Sequence, residues 1–331
     1  MLTSEVRGRE RRDGARSKLS RMVRGLLSAL VTTALTLIAL TPSDAQAQGY
    51  ICAEGGGGPS GGSWAPSVFG WMGQHGGAAK VVVLGTSGTD PAIQNAFLNA
   101  GASSVTFVNV TAANANNATT AGIIASADII WMRGGDQWQY INLWNNTLTE
   151  AAIRSVYDNG GVVGGTSAGC AVLGKVIYNA QIGSLTPKQA LQNSTHPWMT
   201  FTTDFLELVP GVLFDTHFTE RGRIGRLAPM LANRWQVAGL DLLGIGVDDR
   251  TALCVYPDLT AEVRGEGSVT FLHRVPGTFQ VVESGKPAII APMVHTQLTE
   301  GYRYDLVARQ VIERPESAVI CDPPSGHPSV S

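Results

Sequence analysis

The chain is poor in charge. Asp, Glu, Lys and Arg make up only 15% of its 331 residues and balance to a formal −2 at pH 7. Residues 1–47 hold eight basic and four acidic residues, so the remainder carries sixteen basic against twenty-two acidic, a net −6. No basic tail or face is left to neutralise phosphates, which excludes non-specific nucleic-acid binding. Cysteine is equally scarce. Cys52, Cys170, Cys254 and Cys321 are too few for a disulfide scaffold, and no pair has the close spacing of a zinc site, so no metal is expected. A bridge between Cys52 and Cys321 stays open, whereas Cys170, set among small apolar residues, is expected to be a buried inert thiol. Long apolar runs are missing too. The run at residues 25–40 has sixteen residues, short of the roughly 20 that a membrane-spanning helix needs.

That run has the layout of an export signal, with basic residues up to Arg24 before it and Ala45-Gln46-Ala47 after it as a small-x-small cleavage site. The expectation is a signal peptide at 1–47, cut after Ala47, and a secreted or periplasmic protein with no membrane attachment after cleavage. Met22 is an alternative start. Arg11-Arg12 stands too far from the apolar run to argue for twin-arginine export. The rest is read as a single α/β domain (48–315) and a loose tail (316–331).

Hydrophobic residues are plentiful, at 44%, enough for a sizeable core. KVVVLG (80–85) is an apolar run bounded by glycine and is read as a buried strand. A helix (92–100), a strand (105–110), a helix (119–127), a strand (128–132), a helix (149–158) and a strand (161–164) follow. Strands that are apolar throughout, alternating with helices of about ten residues, predict a mostly parallel sheet covered on both faces, a three-layer α/β sandwich. From residue 246 the runs shorten and alternate (253–256, 268–272, 279–282), which predicts antiparallel hairpins at one side of the sheet. Ligands of such sheets bind at the carboxyl ends of the strands. RGGDQ (133–137) and GGTSAG (164–169) both fall there.

Gly165-Thr166-Ser167-Ala168-Gly169 fits G-x-S-x-G, in which a serine is pushed into a strained, exposed strand-to-helix turn. The glycines have a mechanical reason, since residues two before and two after the serine pass close to each other. Ser167 is the candidate nucleophile, and the Ala168 N–H, at the start of the next helix, is a candidate oxyanion donor. A glycine-rich packing turn would read the same way. A serine needs a base, and His217 follows the strand 212–214 in DTHFTERGRIGRL. Alone it reads equally well as a structural imidazole. Arg221, Arg223 and Arg226 come next, and arginine forks suit a carboxylate-bearing substrate, although they could as well pair with Asp215 and Glu220.

Taken together, GGDQ (134–137), GTSAG (165–169), DTHFTERGRIGRL (215–227) and GIGVDDRTAL (244–253) resemble, in order and spacing, the serine peptidases that include aspartyl dipeptidase (dipeptidase E) and cyanophycinase. The resemblance implies a flavodoxin-like sheet related to class I glutamine amidotransferases, hydrolysis of a peptide or isopeptide bond involving aspartate, and no cofactor. It implies Ser167 as nucleophile and His217 as base. Gln137, Asp215, Arg221, Arg223 and Arg226 match pocket positions, and Gly134 or Gly135 is a reasonable second oxyanion donor beside the serine's strand. Asp136 is read as a loop cap, and Asp248 and Asp249 as braces of their turn.

One departure stands out. The family's acid some fifteen to twenty residues after the serine is missing, for neither Asp nor Glu occurs between Ala168 and Thr203. Asp204 or Glu207 is expected as the substitute, with Ser184 or a backbone carbonyl as other holders of the imidazole. Two rivals remain: a secreted α/β-hydrolase esterase, against which the fifty residues from Ser167 to His217 leave little room, and a catalytically silent module that captures acidic peptides. The expected partner is a peptide with aspartyl or other carboxylate groups. The oligomeric state is open, a homodimer being one option.

Overall fold

A computed structural model describes residues 49–59, 64–77 and 79–317. The expected signal peptide, Cys321 and all but the first two residues of the expected tail lie outside them. Strands β1 (Tyr50–Glu54), β2 (Lys80–Gly85), β3 (Ser104–Asn109), β4 (Ile129–Met132) and β5 (Val162–Thr166) are parallel, in the order β1-β5-β4-β2-β3. Alternate residues of β2 go to opposite faces. Val81 and Val83 pack with α1 (Trp64–Gly76) and α2 (Pro91–Asn99), whereas Val82 and Leu84 pack with α3 (Ala118–Ala125), α4 (Gln137–Trp144) and α5 (Leu148–Asp158). Two buried faces explain why β2 and β4 are so apolar, whereas the edge strand β3 is only partly buried.

The helices begin where their sequences allow. Asp90 accepts the Ala92 and Ile93 amides ahead of Pro91, Asn117 accepts those of Thr119 and Thr120, and Asp136 accepts that of Trp138. In the parallel half three elements go beyond the sequence expectation. Strand β1 and helix α1 flank the glycine-rich opening, and α4 starts on the very Gln137 that read as loop.

The antiparallel part is richer than expected. Strands β10 (Thr251–Val255), β11 (Thr260–Gly265), β14 (Arg303–Asp305) and β15 (Gln310–Glu313) extend the first sheet beyond β1 to nine strands. A second sheet of order β13-β12-β9-β8 holds β8 (Val212–Thr216) parallel to β9 (Leu243–Val247), then β12 (Val269–Val281) and β13 (Ile289–Leu298). The expected segments 268–272 and 279–282 are thus one strand, broken in register between Arg274 and Phe279. A short ribbon, β6 (Ile177–Tyr178) with β7 (Phe201–Thr202), and three further helices, α6 (Ala168–Ala171), α7 (Pro187–Gln192) and α8 (Ile224–Ala238), complete the described fold. Leu227, Met230 and Leu231 of α8 pack on Leu213 and Leu272 of the second sheet. The strand before His217 therefore belongs to the second sheet, while the strand before Ser167 belongs to the first.

Among the described cysteines Cys52, Cys170 and Cys254 are unbridged and buried. Cys52 lies opposite Cys254 across the β1–β10 pair, and burial pushes the Cys52 and Cys170 thiols well above their ordinary range, which makes them inert.

Candidate active site

Ser167 follows β5 with φ 54° and ψ −110°, a positive-φ conformation costly for a residue with a Cβ. The turn tolerates no bulk around it. A Cβ on Gly169 would lie 2.1 Å from the Met132 carbonyl oxygen, and one on Gly165 would lie 2.6 Å from the Gly169 carbonyl carbon. Helix α6 begins immediately after, so the Ala168 N–H is one of the first-turn amides that have no partner within the helix. That helix has four residues, so the donor here is a local amide rather than a long dipole. Gly134 faces the serine, since a Cβ on it would lie 3.5 Å from that of Ser167. Gly135, with φ 153°, turns the chain toward Asp136 and α4.

His217 follows β8 with φ 45°. Its Nε2 is 2.9 Å from Ser167 Oγ, and its Nδ1 is 2.5 Å from Asp249 Oδ1. The expectation about the acid is corrected here. Asp204 is exposed and accepts a bond from Asn145, and Glu207 is paired with Lys175; His217 contacts neither of them. Asp248 braces its turn as expected, accepting from the Thr219 amide and from the amide and hydroxyl of Ser268. Its neighbour Asp249 instead holds the imidazole. The missed signal is topological. Because β8 and β9 are parallel neighbours with Thr216 beside Val247, the residues just past their ends meet.

Ser167, His217 and Asp249 thus come together at the seam between the two sheets, and Glu54 ties the seam. Its carbonyl accepts the Ser167 N–H at 3.0 Å. Glu54 is 1% exposed, and its carboxyl accepts the Gly56 N–H at 2.8 Å, with Thr166 and the Arg250 backbone close enough to favour its charged form. The adjoining Gly55 carbonyl accepts the His217 N–H, and the Gly56 carbonyl accepts that of Arg250. Gly56 must be glycine, since its φ is 142° and a Cβ would lie 2.1 Å from His217 Cε1.

Burial lowers the pKa of His217 below its ordinary 6.5, opposed by the Asp249 charge and assisted by Arg221. The imidazole is therefore neutral at pH 7. With Nδ1–H directed to Asp249, the Nε2 lone pair faces the serine hydroxyl. Burial also pushes the Glu54 carboxyl up to about 8, against the pull of Thr166, the Gly56 N–H and the Arg250 backbone, so it is mostly protonated at neutral pH.

The pocket residues divide. Gln137, Asp215, Arg221, Arg223 and Arg226 all line a cleft of about 350 Å³ beside Ser167 and Ala168. Asp215, however, is buried and grips Arg226 through two bonds of 2.8 and 2.5 Å. Arg223 donates to the Thr216 carbonyl at 2.6 Å and lies 3.4 Å from Asp215. Arg226 also donates to the Leu185 carbonyl, so Asp215 and Arg226, expected as substrate contacts, form a buried ion pair on the cleft wall. Gln137 donates its amide to the Tyr178 carbonyl at 3.2 Å. Arg221 is exposed and makes no ion pair among the described residues.

The family model of peptidase family S51 matches residues 91–261, a span that includes Ser167, His217 and Asp249. Two curated relatives are cyanophycinases. That of Synechococcus elongatus is 32% identical over 186 residues, 55% of this chain and 54% of its own. That of Geminocystis herdmanii (strain PCC 6308) is 34% identical over 144 residues, 43% of this chain and 48% of its own. The chain spans about half the length of the curated relatives it matches. A crystal structure of a peptidase from an acI-B1 Actinobacterium shares the fold, with a TM-score of 0.56 at 18% identity over 79% of this chain and 98% of that one. With more than half of its residues inside the family match, the chain belongs to peptidase family S51.

Proposed function

We propose that the protein is a serine peptidase that hydrolyses peptide or isopeptide bonds involving aspartate. The observation that carries this reading is the chain of contacts from Ser167 Oγ to His217 Nε2 and from His217 Nδ1 to Asp249. His217 takes the serine proton as Oγ attacks the scissile carbonyl, and the Ala168 N–H with that of Gly134 or Gly135 receives the oxyanion. The C–N bond then breaks as His217 returns the proton to the departing nitrogen. Water attacks the acyl-serine ester, its proton passing to His217 and on to Ser167, and the acid product leaves. Asp249 fixes the tautomer and stabilises the imidazolium. The absent acid that favoured a silent module is thereby supplied. Arg221, the uncommitted cation of the arginine cleft, attracts the aspartyl carboxylate, while Asp215 and Arg226 keep that wall rigid.

Export is part of this proposal and rests on the sequence of residues 1–47 alone. In a culture of the source cell, the protein should appear outside the cytoplasm and shorter by that segment.

Fluorophosphonate labelling tests the chemistry. The expected result is labelling that is lost in Ser167→Ala, together with turnover of α- or β-aspartyl peptides. A folded protein that fails to label is no serine hydrolase, and p-nitrophenyl ester turnover far above that of aspartyl peptides would make it an esterase.

A further inference from the structure

Ser167 is shared by two clefts. One is the arginine cleft; the other, of about 340 Å³, is lined by Trp64, Phe69, Ile93, Trp131, Arg133 and, at the serine end, His217. His217 borders this second cleft and not the first. A departing amine must receive its proton from His217 Nε2, so the leaving half of the substrate extends to the side where the imidazole stands. The acyl half is left to the arginine cleft, where Ala168 and Gly135 also lie.

We infer that the aromatic cleft is the leaving-group subsite, and that it takes a C-terminal residue with an apolar or aromatic side chain whose carboxylate is held by Arg133. This rests on the hydrolase reading above. The walls supply the apolar part, for Trp64, Phe69, Ile93 and Trp131 line the cleft. The polar groups supply the rest. Trp64 Nε1, Trp131 Nε1 and Arg133 Nε are buried and have no acceptor among the described residues. Buried polar groups are nearly always bonded, and orphaned ones are costly. Three on the wall of one cleft, all donors, call for a ligand that brings acceptors.

The two carboxyl groups already there are engaged elsewhere, Asp90 through one oxygen. The Asp90 carboxylate caps α2 through the Ala92 and Ile93 amides, and the Glu54 carboxyl is enclosed by its own donors. Arg133 donates to the Ser87 carbonyl and to Asn109 Oδ1 at 3.4 Å, both uncharged, and no described carboxylate neutralises it. An un-neutralised guanidinium is a ready partner for a carboxylate. The volume is near the lower end for ligand pockets, which suits one residue rather than an extended chain.

The test is a series of dipeptides Asp-Phe, Asp-Leu, Asp-Gly and Asp-Glu, in α and β linkage, with Asp-Phe amide alongside, assayed by release of free aspartate. The expected result is a kcat/KM for Asp-Phe and Asp-Leu roughly tenfold or more above Asp-Gly and Asp-Glu. Amidation should cost about ten- to a hundredfold, the worth of a charge-assisted bond. Arg133→Gln should erase the difference between acid and amide while leaving fluorophosphonate labelling of Ser167 intact. If that variant fails to fold, the acid-to-amide ratio of the native protein still decides. Equal turnover across the series with a ratio near one overturns the subsite and leaves the peptidase standing. No turnover of any dipeptide combined with no labelling overturns both.

Discussion

Replacing Glu54 by Gln isolates a buried carboxyl whose protonation should govern stability. In the unfolded chain this group ionises at its ordinary value of 4.5, whereas burial holds it to about 8 in the folded protein. Between those values the folded state keeps a proton that the unfolded state has lost, so stability falls as pH rises through this window. Each unit is worth about 1.4 kcal/mol. The window therefore costs the native protein on the order of 4–5 kcal/mol by pH 8, the upper limit set by the value of about 8 in the fold. Glutamine does not titrate. Urea unfolding of native protein and Glu54→Gln from about pH 5 to about pH 9 should give a stability difference that moves in favour of the variant up to about pH 8 and is level beyond it. The glutamine changes the bonds to Gly56, Thr166 and Arg250, but this shifts the offset and not the slope. A difference that does not change with pH would refute the reasoning. It would mean that the donated hydrogen bonds outweigh burial and keep Glu54 ionised throughout.

Asp249→Asn should lower kcat on an aspartyl peptide by about 10⁴-fold, as removal of the imidazole's acid does in a Ser-His-Asp site, while Asp204→Asn and Glu207→Gln stay near native activity. A comparable loss in either of the latter would return the role to that residue. Arg226→Ala leaves the buried Asp215 charge with only the 3.4 Å contact of Arg223 and should cost about 3 kcal/mol in denaturant unfolding. The exposed Arg221→Ala should change stability by at most about 0.5 kcal/mol, yet raise KM for acidic substrates more than for their amides. Equal stability losses would contradict the division of labour between these arginines. Gly169→Ala forces a Cβ to 2.1 Å from the Met132 carbonyl oxygen and should destabilise the fold by about 3 kcal/mol or more. A native-like thermal midpoint would show that the turn has room.

Much of the parallel half was legible in the sequence because the inner strands are buried on both faces and α2 and α3 are marked by Asp90 and Asn117 caps. Helices 92–100, 119–127 and 149–158 are found as Pro91–Asn99, Ala118–Ala125 and Leu148–Asp158. Helix α1 was obscured by the glycines that precede it, and α4 by GGDQ, where Asp136 is both the end of a loop and the cap of a helix. The acid was missed for a different reason. Its distance from the serine along the chain, eighty-two residues in the printed sequence, carries no information about its distance in space. For the arginines the sequence offers two roles, a substrate carboxylate or pairing with Asp215 and Glu220, and spacing alone does not show that Asp215 is buried against Arg226 and Arg223 while Arg221 stays exposed.

By itself, then, the sequence determined what local physics controls: apolar strands, capped helices, and a serine flanked by glycines where no side chain fits. The tertiary structure alone decided which groups meet. A second sheet brings the end of β8 against the end of β5, and the turn from β9 to β10 crosses from one sheet to the other. That crossing delivers Asp249 to His217. Such a pairing depends on sheet order and on the burial of Glu54 at the seam, neither of which leaves a periodic trace along the chain.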